Sequence, residues 1–348
     1  MKQMIANIAL FITAFTAVVI LSEIFFQFAE IDLAYHELNP RVGKKIQPDN
    51  RIIMLKEGFY LGRSNEYGYI GPAYPPEKES STFRIALMGD SFTEGFQLFE
   101  KFHFRTILES GLNFRSKKTV EVMNFGVGNF NFADMYIYYT NYADKFDPDL
   151  VIFVLSARDF RDRPNFIPSP YPYLDGQEVL INYDFTSGKT YNRYKRFQYL
   201  FENSSYVKVM TNVYKLIQKG RLPSIVLGKL YTADAPRRNR VSREDRPTRG
   251  PNIELSPVSE AILRHLGDRR VLFAYKDRFP DHLDQAIREF GIPVIELERT
   301  FLELKSRGID TNYWEATNKR GHWNYEGHRA VGSRLLDEVY TRYEQSLQ

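Results

Sequence analysis

The sequence predicts an α/β protein: a three-layer α/β/α sandwich around a five-stranded parallel sheet, preceded by one transmembrane helix. Three observations support this prediction. An apolar stretch opens the chain, short apolar runs alternate with helical stretches from residue 82 onward, and a Gly-Asp-Ser sequence follows the first of these runs. Strands that alternate with helices in this way form parallel sheets with helices on both faces.

The N-terminal segment has the length and polarity of a membrane span. Residues 4–21 carry no charge, and about 20 apolar residues are enough to cross a bilayer. No small-x-small cleavage site follows Leu21, so we expect a retained anchor at residues 1–30. Lys2 is the nearby cation, which predicts a cytoplasmic N-terminus and an extracytoplasmic globular part. The alternative is a buried helix of the globular domain.

Composition limits the kinds of partner. The formal net charge is +4, which is too small to indicate nucleic-acid binding, and no run of Lys and Arg is suited to follow a phosphate backbone. The chain contains no cysteine. This excludes disulfides, thiol catalysis and cysteine-ligated metals.

Beyond the anchor, the chain divides into two stretches. Residues 31–81 are polar and rich in turn residues, which is typical of a stalk or of a segment that wraps a neighbouring domain. Residues 82–348 carry the α/β pattern, in short apolar runs typical of buried parallel strands. The five predicted strands begin near Phe83, Thr119, Leu150, Arg270 and Pro293.

An insertion at residues 164–257 interrupts this alternation. It contains a predicted hairpin from Tyr173 to Tyr183, a predicted helix from Tyr194 to Gln218, and an arginine-rich tract at 237–249. The tract is typical of a solvated surface loop. We expect substrate specificity to reside in the insertion, because of this tract and its tyrosines. These tyrosines are Tyr171, Tyr173, Tyr183, Tyr191 and Tyr194.

A candidate nucleophile follows the first predicted strand. Functional side chains in open α/β sheets collect at the carboxyl ends of the strands. Ser91 occupies such an end and opens the next helix, so its hydroxyl faces the crevice and its N–H can stabilise an oxyanion. The alternative is that Asp90 or Ser91 only caps the helix.

A base must come from one of six histidines. His322 precedes the last predicted helix, in a loop that can fold back beside the first strand, and we predict it as the base. His328 is one or two turns into that helix, so we expect it to be packed in the core. The other four histidines have no supporting motif, and these are His36, His103, His265 and His282.

Two sequence blocks resemble the SGNH/GDSL hydrolase superfamily, especially its membrane-anchored bacterial members encoded near polysaccharide genes. GDSFTEG at residues 89–95 is similar to the first family block, and GHWNYEGH at 321–328 is similar to the last. The likeness extends over most of the chain, except the insertion. It implies a flavodoxin-like sheet, cleavage or transfer of acyl esters such as acetyl groups on sugars, and no metal or other cofactor.

The expected oxyanion site departs from the family pattern. The family glycine with a backbone donor falls on Asn129, with Gly128 one position earlier, so a donor remains in either register. Arg158 replaces the family asparagine, and a guanidinium is longer and permanently charged. We expect Arg158 to face the crevice. Three aspartates are candidates to neutralise its charge: Asp90, Asp159 and Asp162.

The last block also lacks the family aspartate that orients the histidine. Lys319 and Arg320 stand before His322 instead. Asn318, Glu315 or a backbone carbonyl could orient the ring. Losing the orienting acid costs about 10⁴ in rate while leaving some catalysis, so a Ser–His dyad could still turn over.

The predicted function is serine-dependent acyl-ester hydrolysis or O-acetyl transfer on a cell-envelope or exported polysaccharide. Ser91 would attack the acyl carbonyl and His322 would act as base. Gly128, Asn129 and Arg158 would hold the oxyanion, with Asp90 in support. The expected partners are an acylated carbohydrate and, through the N-terminal helix, a membrane. Two alternatives are a degenerate member that only binds glycan, and a subunit of a polysaccharide export or modification machinery with protein partners.

Overall fold

A computed structural model describes residues 2–28, 35–54, 57–161, 169–218 and 253–348. Its contacts divide the chain into two compact units. One unit comprises Met1–Ala34 and Lys189–Arg246, and the other comprises Tyr35–Gly188 and Pro247–Gln348.

Short strands and helices account for most of the described residues. The strands are β1 (His36–Asn39), β2 (Gly43–Ile46), β3 (Arg51–Met54), β4 (Tyr60–Arg63), β5 (Thr82–Gly89), β6 (Thr119–Gly126), β7 (Leu150–Leu155), β8 (Tyr171–Asp175), β9 (Glu178–Asn182), β10 (Val271–Tyr275), β11 (Val294–Glu296), β12 (Tyr313–Trp314) and β13 (Lys319–Arg320). The α-helices are α1 (Lys2–Phe28), α2 (Ser91–Glu94), α3 (Phe104–Arg115), α4 (Phe132–Asn141), α5 (Lys189–Arg196), α6 (Gln198–Asn203), α7 (Ser205–Gln218), α8 (Pro257–Gly267), α9 (Asp281–Arg288), α10 (Glu298–Ser306) and α11 (Tyr325–Leu347).

A five-stranded parallel sheet forms the centre of the larger unit, in the order β11-β10-β7-β5-β6. Every residue of β5, β7 and β10 is buried, which explains their continuous apolar sequences, because helices cover both faces. Counted along the chain, the strand order is 2-1-3-4-5, the doubly wound arrangement of flavodoxin type. The predicted fold class is confirmed, and each strand begins within one residue of its predicted start.

The side chains of β5 alternate between two core clusters. Ala86 and Met88 pack on the face covered by α4 and α8, whereas Ile85 and Leu87 pack on the face covered by α3 and α11. Successive strand residues point to opposite faces of a sheet. This alternation therefore generates the three layers.

The segment before the sheet is folded against it. Its described part forms two antiparallel hairpins, β1–β2 and β3–β4. Ile46, Ile52, Tyr60 and Phe96 share a small core cluster beneath them. Turn residues at 40–42 and 47–50 lie in the tight connections between these four-residue strands.

The predicted hairpin of the insertion is confirmed, since β8 and β9 pair antiparallel. The prediction of one helix from Tyr194 to Gln218 is wrong, because three helices, α5 to α7, occupy this stretch. Ser204 separates the last two: its hydroxyl accepts a hydrogen bond from the Val207 N–H at 3.1 Å, as an N-cap residue does. The arginine-rich tract at 237–249 lies outside the described residues.

The smaller unit contains α1 and α5–α7 in its described part. α1 has 27 residues, which corresponds to about 40 Å of helix. It is long and apolar enough to cross a membrane, by length and composition, and its apolar window is not buried. The expected span at residues 4–21 lies within α1.

Two histidines are buried where α3 meets α11. His328 is fully buried, as predicted, and its ring centroid lies 4.7 Å from that of His103. The Phe104 N–H donates to His328 Nδ1 at 3.3 Å. Burial lowers the pKa of His328 to about 3, and it also lowers the pKa of His103 well below the ordinary value. Both rings are therefore neutral in the folded protein near neutral pH.

These rings make folding sensitive to acid. An unfolded histidine titrates near pH 6.5, so below about that pH the unfolded chain binds protons that the native chain does not. We expect stability to fall as the pH drops below about 6.5, and the contribution of His328 continues down to about pH 3, with a slope of up to about 1.4 kcal/mol per pH unit. Urea unfolding in detergent at two pH values, one neutral and one mildly acidic, measures this slope. His328→Gln, which retains an acceptor for the Phe104 N–H, should flatten it, whereas the surface control His282→Gln should not.

Candidate active site

The strand order locates a crevice between the carboxyl ends of β5 and β7, where the direction of winding reverses. β5 leads almost directly into α2, whose first residue is Ser91. The absence of a side chain at Gly89 permits this short connection, because a Cβ there would lie 2.0 Å from Thr93 Oγ1. Asp90 caps α2 by accepting the Phe92 N–H at 3.0 Å. Helix capping and a serine at the crevice therefore coexist in this turn.

His322 lies in the loop before α11, and the structure brings its ring to Ser91. Ser91 Oγ and His322 Nε2 are 2.7 Å apart, within hydrogen-bond reach for proton transfer. The Phe92 ring packs beside the imidazole, with ring centroids 4.6 Å apart. The two predicted residues thus meet although 231 positions separate them in the chain.

The carboxylate beside His322 belongs to Glu57, a residue that the sequence reasoning missed. Glu57 Oε2 lies 2.8 Å from His322 Nδ1 and also accepts the His322 backbone N–H at 2.8 Å. Gly321 makes room, since a Cβ there would lie 2.4 Å from the Glu57 carboxyl carbon. The two side chains expected in this role lie elsewhere. Glu315 is exposed, and Asn318 accepts a hydrogen bond from a tyrosine hydroxyl.

This arrangement favours one tautomer of His322. A carboxylate at Nδ1 favours the proton on that nitrogen, which leaves Nε2 free to accept the Ser91 hydroxyl proton. The Glu57 side chain is 11% exposed, so the carboxylate can also stabilise an imidazolium with little solvent screening. Hydroxyl, imidazole and carboxylate therefore have the connectivity of an acyl-transfer triad. Among the residues that the structure describes, no group of three or more histidine or acidic side chains is arranged to hold a metal ion.

The Gly128–Asn129 peptide lies beside the serine. A Cβ on Gly128 would be 3.6 Å from Ser91 Cβ, and Asn129 adopts the left-handed region with φ 68°. Lys44 Nζ, from β2, donates to the Gly128 carbonyl at 2.7 Å. A trans peptide is planar, so this bond directs the Asn129 N–H away from Lys44. The hairpin β1–β2 thus sets the orientation of a candidate oxyanion donor.

The same hairpin contributes His36, to which the sequence assigned no role. His36 Nε2 lies 2.7 Å from Glu94 Oε1 at the end of α2. Burial lowers the pKa of His36, against the opposing effect of the Glu94 carboxylate. A Cβ on Gly128 would lie 2.8 Å from the other Glu94 oxygen, so this pair packs against the Gly128 peptide.

Arg158 lies in a short 3-10 helix, Ala157–Phe160, directly after β7, and its side chain is exposed. Two of its candidate partners, Asp90 and Asp159, contact a lysine instead, and this lysine is Lys276. The third candidate, Asp162, lies outside the described residues. Burial raises the pKa of Asp277, and the positive charge of Arg158 is among the effects that oppose this shift.

Lys276 is a second residue that the sequence reasoning missed. It directly follows β10, its side chain is 6% exposed, and its Nζ lies 2.6 Å from Asp90 Oδ2 and 3.7 Å from Asp159 Oδ2. The ammonium also lies 5.0 Å from the centre of the Phe92 ring. Burial raises the pKa of Asp159 to about 6, against the opposing charge of Lys276. This buried cluster ties the ends of β5, β7 and β10 together beneath the serine turn.

Comparisons with known proteins give distant likenesses only. No protein-family model and no curated protein matches the chain. Among solved structures, a lipase/acylhydrolase from Enterococcus faecalis is 13% identical, with 75% of this chain and 96% of that chain covered and a TM-score of 0.38. An acetyl xylan esterase is 14% identical, with 74% and 100% covered and a TM-score of 0.33. A two-domain esterase active on acetylated mannans is 15% identical, with 75% and 50% covered and a TM-score of 0.34.

At such low identities and TM-scores, these likenesses decide nothing about the chemistry of this chain. Its own features are more specific. The sheet has flavodoxin-type order, GDSFTEG follows the first sheet strand, and GHWNYEGH supplies the histidine that reaches the serine. In these features the chain resembles the SGNH/GDSL hydrolases.

Proposed function

We propose that this protein is a serine-dependent enzyme that hydrolyses or transfers acyl esters. The observation that carries the proposal is the continuous chain of hydrogen bonds from Glu57 through His322 to Ser91, with distances of 2.8 and 2.7 Å. A serine that only capped α2 would not need a histidine and a buried carboxylate aligned behind its hydroxyl. Triads are recognised by such geometry rather than by sequence position.

In the first half-reaction, Ser91 Oγ attacks the acyl carbonyl carbon while His322 Nε2 takes its proton. Glu57 stabilises the imidazolium that forms. The oxyanion receives hydrogen bonds from the Ser91 N–H and from the Gly128–Asn129 peptide. Collapse of the tetrahedral intermediate expels the alcohol, which takes the proton from His322 and leaves an acyl ester on Ser91.

In the second half-reaction, His322 takes a proton from the acceptor as the acceptor attacks the acyl carbon. The bond from that carbon to Ser91 Oγ then breaks, and Oγ takes the proton from His322, which restores the free hydroxyl. Water as the acceptor makes the protein an esterase, and a sugar hydroxyl makes it an O-acetyltransferase. The choice of acceptor thus decides between hydrolysis and transfer with the same residues in the same roles.

We propose an acylated polysaccharide of the cell envelope, or an exported one, as the substrate class. Support comes from the insertion, where Tyr171, Tyr173 and Tyr183 are 39%, 39% and 37% exposed. Aromatic faces with polar tips suit sugar rings. Tyr191 of the same insertion is buried and offers no such face.

Acetate release from an acetylated polysaccharide tests this function. We expect purified full-length protein in detergent to release acetate from acetylated xylan or mannan, or to move acetyl groups to an added oligosaccharide. Ser91→Ala is the control. Equal acetate release or transfer by the wild type and Ser91→Ala would contradict the proposal.

Arg158 stands where the SGNH/GDSL family has a neutral hydrogen-bond donor. This departure raises the alternative that the protein is not a catalyst but binds glycan or is a subunit of a polysaccharide machinery. We propose that the Arg158 guanidinium donates hydrogen bonds to the oxyanion or binds an anionic substrate group such as a uronate. Arg158→Ala should then lower ester turnover at least about tenfold, since losing one oxyanion donor costs about 10² to 10³. Arg158→Asn should retain or improve turnover. Unchanged turnover in Arg158→Ala would remove this role, and no turnover in any variant or the wild type would favour the alternative.

We further propose that α1 anchors the protein in a membrane, with its N-terminus in the cytoplasm and the catalytic unit outside. Support comes from the length of α1 and from Lys2, the basic residue at its start. A reporter that is active only outside the cytoplasm should be active when fused after Gln348. Activity there of a reporter that works only in the cytoplasm would contradict this orientation.

A further inference from the structure

The smaller unit exposes apolar side chains on helices other than α1. On α7, Met210, Tyr214 and Ile217 are 41%, 60% and 55% exposed. Their spacing aligns them on one helix face, which we call the apolar stripe. On α6, Tyr199 and Leu200 are 77% and 48% exposed. Exposed apolar surface of this kind marks a contact with a membrane or another macromolecule.

The position of α6 along α1 indicates which contact this is. Val19, Ile20 and Ile24 of α1 line a groove whose other wall includes Tyr199 and Leu200. A hydrocarbon core needs about 20 residues of helix. A span that starts at the beginning of α1 therefore ends close to this groove, which puts α6 at the level where a bilayer meets water. Tyrosine is enriched at that level in membrane proteins.

Glu23 fixes this arrangement. Its carboxylate accepts hydrogen bonds from the Ser204 hydroxyl at 2.7 Å and from the backbone N–H groups of Ser205 and Tyr206 at 3.0 and 2.8 Å. A carboxylate at the N-terminus of α7 is also favoured by the helix dipole. The Phe26 and Tyr206 rings stack next to it, with centroids 6.4 Å apart. The start of α7 is thereby tied to the outer end of the apolar helix.

The charge of α5–α7 matches a phospholipid surface. Residues 189–218 contain six basic residues and one acidic residue. Basic side chains next to exposed aromatic and aliphatic ones are typical of helices that lie in the interface of anionic membranes. The exposed basic residues of α5 are Lys189, Arg193, Lys195 and Arg196.

We propose that α5–α7 form a membrane-contacting surface beside α1. Phospholipids surround the apolar stripe, Tyr199 and Leu200, and α5 lies against anionic headgroups. This inference rests on the proposed anchoring by α1 and is independent of the proposed catalysis. A second copy of this chain or another protein is the competing occupant of the same surface.

The absence of cysteine from the chain allows single-cysteine labelling without background. Tyr199→Cys and Tyr214→Cys, each labelled with an environment-sensitive fluorophore, are reconstituted as full-length protein in vesicles of phosphatidylcholine and phosphatidylglycerol. Ile12→Cys within α1 is the positive control. Phe114→Cys is the matched control, because Phe114 is 90% exposed on α3 of the other unit. Quenching is measured with brominated lipid and with aqueous iodide.

We expect brominated lipid to quench the labels at 199 and 214 as it quenches the label at 12, and iodide to quench the label at 114 alone. Iodide quenching at 199 and 214 equal to that at 114 would overturn the proposal. Protection from both quenchers would also overturn it, in favour of a protein occupant. Lipid quenching at 12 distinguishes failure of this inference from failure of the anchor.

Discussion

Glu57→Gln should lower kcat for an acetyl ester by about 10⁴ while changing KM little. The expected loss follows from the tautomer of His322. Glutamine has the size of glutamate, but its amide can donate to Nδ1 and so favour the proton on Nε2, where it blocks acceptance from Ser91. An amide in place of the orienting carboxylate costs about this factor in triad hydrolases.

Glu315→Gln is the matched control, because Glu315 is an exposed acidic residue in the segment that leads to His322. Steady-state turnover of p-nitrophenyl acetate by the two variants and the wild type gives the comparison. A loss in Glu57→Gln no larger than in Glu315→Gln would mean that Glu57 does not position the histidine.

Lys276→Met should destabilise the larger unit by about 3–5 kcal/mol, the usual cost of removing one partner of a buried ion pair. The substitution keeps the length of the side chain but leaves the Asp90 and Asp159 carboxylates without their ammonium. Both tryptophans of the chain, Trp314 and Trp323, lie in this unit. Their fluorescence during urea unfolding therefore reports on the unit that contains the cluster.

The matched control is Lys305→Met, which removes an exposed lysine on α10. Adding Asp90→Asn to Lys276→Met should recover part of the lost stability, because one of the two uncompensated charges is removed. A Lys276→Met protein as stable as the Lys305→Met protein would show that the cluster does not hold the strand ends together.

The sheet was predictable because its signal is local. Each central strand is buried on both faces, so its apolar run is visible without knowledge of its neighbours. Ser91 was predictable for the same reason, since it directly follows such a run. The sequence did not predict the breaks between α5, α6 and α7, which fall at Phe197 and Ser204. The helical spacing of apolar residues continues on both sides of these two positions.

Glu57 could not be found from local sequence. It lies 265 positions before His322, in a segment of short hairpins, and only the folding of that segment against the sheet brings the two together. Lys276 could have been predicted from the sequence, because a lysine directly after a buried strand lies at the edge of the sheet where functional residues collect. The closeness of Asp159 to Arg158 in sequence suggested the wrong ion pair, because the cation that contacts Asp159 comes from the neighbouring strand of the sheet.

The most direct measurement of the central claim is covalent labelling of Ser91 by a fluorophosphonate, which reacts with activated serines. Full-length protein in detergent is treated with the probe, and the modified peptide is identified by mass spectrometry. We expect the label on Ser91 in the wild type, much slower labelling in Glu57→Gln, and none at this position in Ser91→Ala. A folded wild-type protein in which Ser91 reacts no faster than in Glu57→Gln would contradict the account.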